Sequence, residues 1–207
     1  MTAKIYSAAV IGIKAQPIEV EVDLGPGLHS FNIVGLADKA VSEARDRVSS
    51  AIKNSGAAAP QRQNRKITVN LAPADLKKEG SAYDLAIAVG YLLASNQMKA
   101  FDASNKIFLG ELALDGSLRP VAGVLPVILM AKEKFKEIIL PTKNIREAEI
   151  IKGIKIVGCE TLKDVIEYLE GKKEIGFVSN KDLEISQNKK HAVDFADIKG
   201  QQQAKRA

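Results

Sequence analysis

Cysteine occurs once in the 207 residues, at Cys159, and tryptophan does not occur. A lone cysteine excludes an intrachain disulfide, and with it a small disulfide-stapled scaffold. Aromatic residues make up only 5% of the chain, which leaves little material for a base-stacking platform. No apolar run reaches the roughly 18 residues that a membrane-crossing helix needs. The apolar stretch within residues 1–16 alternates like a strand and is followed by Lys14 and Glu19, so it does not read as a signal peptide. Histidine is limited to His29 and His191; with one cysteine these cannot close a zinc site unless carboxylates help. Both read as solvated side chains. Neither GxxxxGK[ST] nor GxGxxG occurs, so no loop in this chain is built to cradle nucleotide phosphates, and no metal or cofactor is expected in it. A reducing cytoplasm is the expected compartment, with no membrane partner.

What is present is a globular composition. Hydrophobic residues at 46% and charged residues at 27% exclude wholesale disorder. Thirty Lys/Arg against 25 Asp/Glu leave a formal charge of +5. Residues 172–207 hold eight Lys/Arg and five Asp/Glu, so most of the excess belongs to the tail. Net charge of this size is weak evidence for nucleic-acid binding.

Patterning predicts an α/β protein. Strands are expected over 5–13 and 17–24, where Ile18, Val20, Val22 and Leu24 alternate with Glu19, Glu21 and Asp23. Gly25-Pro26-Gly27 is turn chemistry, and a third strand over 29–34 would run antiparallel to the second if that turn is tight. A helix is expected over 38–55, with Asp38 as N-cap and Gly56 at C′. After a polar loop at 60–64 come a strand over 66–71 and a buried helix over 82–94. A strand over 107–114 ends at the Asp115-Gly116 turn. Helix 124–135, strand 137–140, helix 142–151, strand 155–157 and helix 161–170 follow. A strand meander followed by helix–strand alternation reads as a two-layer α/β sandwich over residues 1–171. Residues 172–197 read as a polar linker, and 198–207 as the start of a further module.

Three segments can carry chemistry. In the first, residues 69–93, a charged loop leads to Gly80-Ser81 at a helix start, where the dipole favours a developing anion. Ser81 is a candidate nucleophile, with Lys77 or Lys78 as base. Ser81-Ala-Tyr-Asp84 also fits a capping box, and that reading is the stronger. In the second, residues 108–126, Glu111 and Asp115 are possible acids or the polar face of a strand. The third is a basic surface: Arg45, Arg47, Lys53, Arg62, Arg65 and Lys66 are candidate DNA contacts, the loop Gln61 to Arg65 mixing arginine with amides as phosphate contacts do. A solvated helix face is the alternative.

The stretches FNIVGLADKAVSEARDRVSSAIKNSG, VNLAPADLKKEGSAYDLAIAVGYL and GELALDGSLRPVAGVLP, in this order and spacing, resemble the N-terminal region of the bacterial magnesium-chelatase-like AAA+ ATPases, the YifB/ComM family. The resemblance covers about residues 4–170. The ending FADIKGQQQAKRA resembles the entry into that family's ATPase module, which would make this chain the N-terminal part of a longer protein. The resemblance implies a Lon-protease-like domain, of the fold shared with certain ribosomal proteins and GHMP kinases. In Lon proteases a serine follows Gly-Pro at the start of a buried helix, and a lysine follows Gly-Gly-Leu after the next strand. Gly80-Ser81-Ala82 puts Ala82 at the serine position, and Ala122-Gly123-Val124-Leu125 puts Leu125 at the lysine position. The resemblance thus implies a domain without the peptidase dyad. It would belong to an ATP- and Mg-dependent, hexameric branch-migration helicase of natural transformation and recombination, and serve DNA binding, ring assembly against its own ATPase module and neighbouring subunits, or both. A residual Ser/Lys peptidase and a pure oligomerisation module are the alternatives.

Overall fold

The computed structural model describes residues 2–62, 64–176 and 198–206. His191 and most of the expected linker lie outside the described residues.

The chain opens with a long hairpin. Strand β1 (Thr2–Ile11) and strand β2 (Lys14–Pro26) pair antiparallel around Gly12-Ile13, from Ile11 opposite Lys14 to Thr2 opposite Asp23. The alternation along β2 places Ile18, Val20, Val22 and Leu24 inward and leaves Glu19, Glu21 and Asp23 on the wet face. Strand β3 (Ser30–Val34) does not continue the meander. It pairs parallel with β4 (Arg65–Ala72), which itself lies antiparallel to β2, giving the sheet order β1-β2-β4-β3. The expected β2–β3 pairing is therefore corrected: β3 opens a β–α–β crossover, and parallel neighbours need such a connection rather than a turn.

That crossover is helix α1 (Lys39–Asn54), which buries Val41, Ala44, Val48, Ala51 and Ile52 on the sheet. Both of its end signals hold. Asp38 caps it by accepting the Val41 N–H at 2.7 Å, and Gly56 follows with φ +91°. Helix α2 (Asp84–Ala94) is buried nearly all round, with Leu85, Ile87, Ala88, Val89 and Leu92 inaccessible. Each of the leucine, isoleucine and valine side chains contributes about 1.5–3 kcal/mol of burial. Gly90 lets α2 approach the hairpin; a Cβ there would stand 2.7 Å from Val22 Cγ2.

The second half breaks the expected strand 107–114 at Gly110 into β5 (Lys106–Phe108) and β6 (Glu111–Leu112). β6 forms a small hairpin with β7 (Leu118–Arg119) around the Asp115-Gly116 turn. Helix α3 (Val124–Lys134), β8 (Glu137–Pro141), the short helix α4 (Ile145–Ala148), β9 (Lys155–Cys159) and α5 (Leu162–Leu169) follow. The expected helix 142–151 is thus one 3₁₀ turn, Thr142–Asn144, plus α4. Strands β5, β8 and β9 make a parallel three-stranded sheet. The last described element is α6 (Gln202–Arg206). Two apolar clusters result. One lies between the first sheet and α1 and α2; the other gathers Val127, Ile128 and Ala131 of α3 with Ile138, Leu140, Ile156 and Ala8.

Candidate functional site

Two regions of the fold bring the sequence candidates together, and β4 joins them. Its Ala72 end leads into a cleft; its Arg65 end carries the basic loop. Eight residues of extended chain place the two ends roughly 23 Å apart.

The cleft encloses about 400 Å³. It is lined by Ala8 to Gly12 at the end of β1, by Leu76, Lys77 and Glu79, by Ala82 and Tyr83 ahead of α2, and by Leu109, Ala122 and Val127. Ala82 is therefore part of the cleft wall. The Leu125 N–H, in the first turn of α3, is bonded to Glu147 Oε1 at 3.0 Å. At the start of α2 the Leu85 N–H is bonded to the Gly110 carbonyl at 3.1 Å and the Asp84 N–H to the Ser81 carbonyl at 3.2 Å. These donors at the two helix starts are engaged within the protein, whereas an oxyanion site requires them free and convergent.

Ser81, Lys77 and Lys78 each have a different partner. Ser81 Oγ donates to Glu111, whose other oxygen accepts from Arg119 Nη1 at 3.2 Å. The Ser81 bond, with Arg119 behind it, holds Glu111 below the ordinary carboxylate range. Lys77 pairs with Glu79 at 2.6 Å on the surface. Lys78 is fully buried and donates to the Pro73 carbonyl; burial lowers its pKa. The Ser81–lysine pairing is not formed, because the loop turns Lys78 inward and leaves Lys77 in solvent.

The capping box is also corrected. Tyr83, not Ser81, is the N-cap of α2, and it makes no side-chain cap. Asp84 has a different task, one that its sequence context did not signal. Its carboxylate is buried and accepts two bonds from Arg47, at 2.7 and 3.0 Å, and the Leu112 N–H at 3.2 Å. Burial raises its pKa and Arg47 pulls the other way; the bond to Asp84 in turn raises that of Arg47. A third donor contact ties Arg47 Nη2 to the Ala40 carbonyl at 3.0 Å. Arg47 is thus withdrawn from the basic surface, since its fork is engaged inside. Cys159 is buried, and burial pushes its thiol up to about 12. Asp115 accepts from Ser117 within the β6–β7 turn.

The other end of the sheet carries most of the remaining basic candidates. Helix α1 runs back from the end of β3 to the start of β4, so Lys53 in its last turn lies at the same end of the sheet as Arg65. Arg62 ends a 3₁₀ turn, Pro60–Arg62, and Arg65 and Lys66 open β4. All four are exposed, and among the described residues none is ion-paired. Arg45 differs, being paired with its neighbour Asp46 at 3.2 Å. Exposed cations without carboxylate partners are the groups best placed to displace counterions from a phosphate backbone. His29, read above as merely solvated, stands beside them in the β2–β3 connection.

The family model described as subunit ChlI of Mg-chelatase matches residues 20–144. The competence protein ComM of Haemophilus influenzae is 42% identical over 207 residues, covering 99% of this chain and 40% of that protein. YifB of Escherichia coli, an uncharacterised protein, is 41% identical over 202 residues, 98% of this chain and 39% of YifB. The DNA repair protein RadA of Halalkalibacterium halodurans is 32% identical over 111 residues, 53% of this chain and 24% of RadA. The chain spans about 40% of the length of the first of these relatives.

Proposed function

The chain belongs to the magnesium-chelatase-like family of subunit ChlI that also holds ComM and YifB, and from that premise we propose that it engages DNA, without reacting on it, for an ATPase of which it is the N-terminal domain. The observation that carries this reading is the group of exposed cations, Lys53, Arg62, Arg65 and Lys66, at one end of the first sheet, without an ion pair among the described residues. They offer the phosphate contacts that supply sequence-independent binding, which suits a protein that moves along DNA of any sequence. The names of two relatives, a competence protein and a DNA repair protein, agree with a role in DNA handling.

Within this reading the domain is of the Lon-protease-like sandwich type with its peptidase dyad replaced by Ala82 and Leu125. The engaged helix-start donors beside the cleft support a binding rather than an acyl-transfer role. ATP and Mg belong to the ATPase module, which the greater length of the relatives leaves room for. That module and neighbouring subunits of a hexameric, cytoplasmic ring are the protein partners, and branch migration during transformation or recombination is the process served.

Fluorescence anisotropy of labelled single-stranded, duplex and forked DNA, titrated at rising salt with residues 1–207 and with residues 1–171, tests the reading. Binding that survives removal of the tail and weakens steeply with salt is the expected result. Binding that disappears with the tail, or is unchanged by Arg62→Ala with Arg65→Ala, would remove the folded domain from DNA contact and leave assembly as its role.

A further inference from the structure

The β2–β3 connection has to cross the end of β4, because β4 lies between the two strands that it joins. Pro26 stands opposite Arg65 and Ser30 opposite Lys66. Only Gly27, Leu28 and His29 are left to span the gap. The Lys66 side chain runs along Gly27, where a Cβ would come within 2.9 Å of Lys66 Cε. On the crest of this bridge Leu28 is 84% exposed, and His29 is exposed beside it.

Turns of this kind favour Gly, Pro, Asn, Asp and Ser for backbone reasons, and nothing in such a turn calls for leucine. Packing does not call for it either, since the side chain stands almost wholly in water. The outcome is an exposed apolar side chain on a bridge that crosses the strand end carrying Arg65 and Lys66, with Arg62 three residues before Arg65 in the chain. Cations at that strand end draw a phosphate backbone to the neighbourhood of the leucine. An apolar side chain flanked by phosphate-binding groups is the arrangement by which proteins enter a base step and part the bases.

We propose that Leu28 is a wedge that enters an opened base step of branched DNA while Arg62, Arg65 and Lys66 hold the flanking phosphates. The inference rests on the DNA reading above and assigns a residue to it, one suited to duplex whose stacking is already interrupted at a fork or junction. Forcing a side chain into a fully stacked step carries an unstacking cost that an interrupted step does not. Leucine also has no group with which to read a base edge, so the preference is for structure and not for sequence.

The test uses the whole 207-residue chain, a forked DNA with 2-aminopurine at the branch point, and a matched duplex. Wild-type binding should brighten the 2-aminopurine, because its fluorescence rises on unstacking. Leu28→Ala should abolish the brightening and lower the preference for fork over duplex by about tenfold, the scale of returning one leucine side chain to water. Its duplex affinity should stay as in wild type. Leu28→Met should retain the brightening. Ile13→Ala, at the opposite end of the β1–β2 hairpin and 90% exposed in wild type, should change nothing. Arg62→Ala with Arg65→Ala should weaken fork and duplex alike. If Leu28→Ala brightens the probe as wild type does, the wedge is overturned while DNA binding stands. If the wild type binds neither DNA, the reading beneath it falls as well.

Discussion

Asp84 holds three segments together. It opens α2, binds Arg47 of α1 through both oxygens, and accepts the Leu112 N–H of β6. Removing it leaves a guanidinium that is four-fifths buried and a backbone donor without an acceptor. Asp84→Ala should therefore cost about 3–5 kcal/mol, the scale of breaking a buried pair from one side. A urea titration followed by circular dichroism checks this; a loss under about 1 kcal/mol would mean that the pair is dispensable. Glu137 poses the acid-range counterpart. Burial pushes its carboxyl up, but Lys106, Tyr168 and Lys155 together hold it below the ordinary 4.5. A carboxylate with a depressed folded pKa contributes stability above its unfolded value, and that stability is lost as pH falls through the folded value. Stability should thus drop as pH falls below 4.5, and Glu137→Gln should flatten that slope. A pH series of urea midpoints with the same slope in both proteins would show that other carboxylates carry the acid sensitivity.

The elements show which local signals survive assembly. The Asp38 cap of α1 was legible because an Asn/Asp/Ser/Thr cap acts within one turn of its own chain. Here Asp38 does one thing more: its second oxygen accepts the Gly80 N–H at 3.2 Å, and its N–H donates to the Lys78 carbonyl at 3.0 Å. Asp38→Ala should consequently cost about 2 kcal/mol, the upper end of the range for a cap, and should loosen the 78–80 segment. Hydrogen exchange at Gly80 is the measurement; protection unchanged from wild type would confine Asp38 to capping. The capping reading of Ser81 failed for a related reason. Four residues matched the motif, but Glu111, thirty positions away, accepts the Ser81 hydroxyl, and Arg47 takes Asp84. The expected 107–114 strand failed because the backbone at Gly110 turns to serve Ala82 and Leu85 at the start of α2; alternation along a strand carries no record of such a long-range demand.

At the scale of the whole molecule the crossover decides where charge collects. Since β3–α1–β4 is a parallel connection, the end of α1 and the start of β4 lie at the same end of the sheet, which puts Lys53 at the end that carries Arg62, Arg65 and Lys66. If three of these contact phosphates, log K for duplex DNA should fall against log salt with a slope of roughly −3, and Arg62→Ala with Arg65→Ala should bring it near −1. A slope that the double variant leaves unchanged would place the contacts elsewhere.

The sequence by itself determined the α/β class, the order of most elements, the ends of α1 and the family resemblance. These depend on periodicities, caps and motifs that act within a few residues of chain, and on a run of matched segments. Tertiary structure alone decided that β3 leaves the meander, that Arg47 turns inward to Asp84, that Ser81 meets Glu111 and not a lysine, and that Leu28 is exposed where the β2–β3 connection crosses the Arg65 end of β4. Each of those depends on which residues meet across large separations in the chain, and burial, ion pairing and strand register settle that only when the whole core closes.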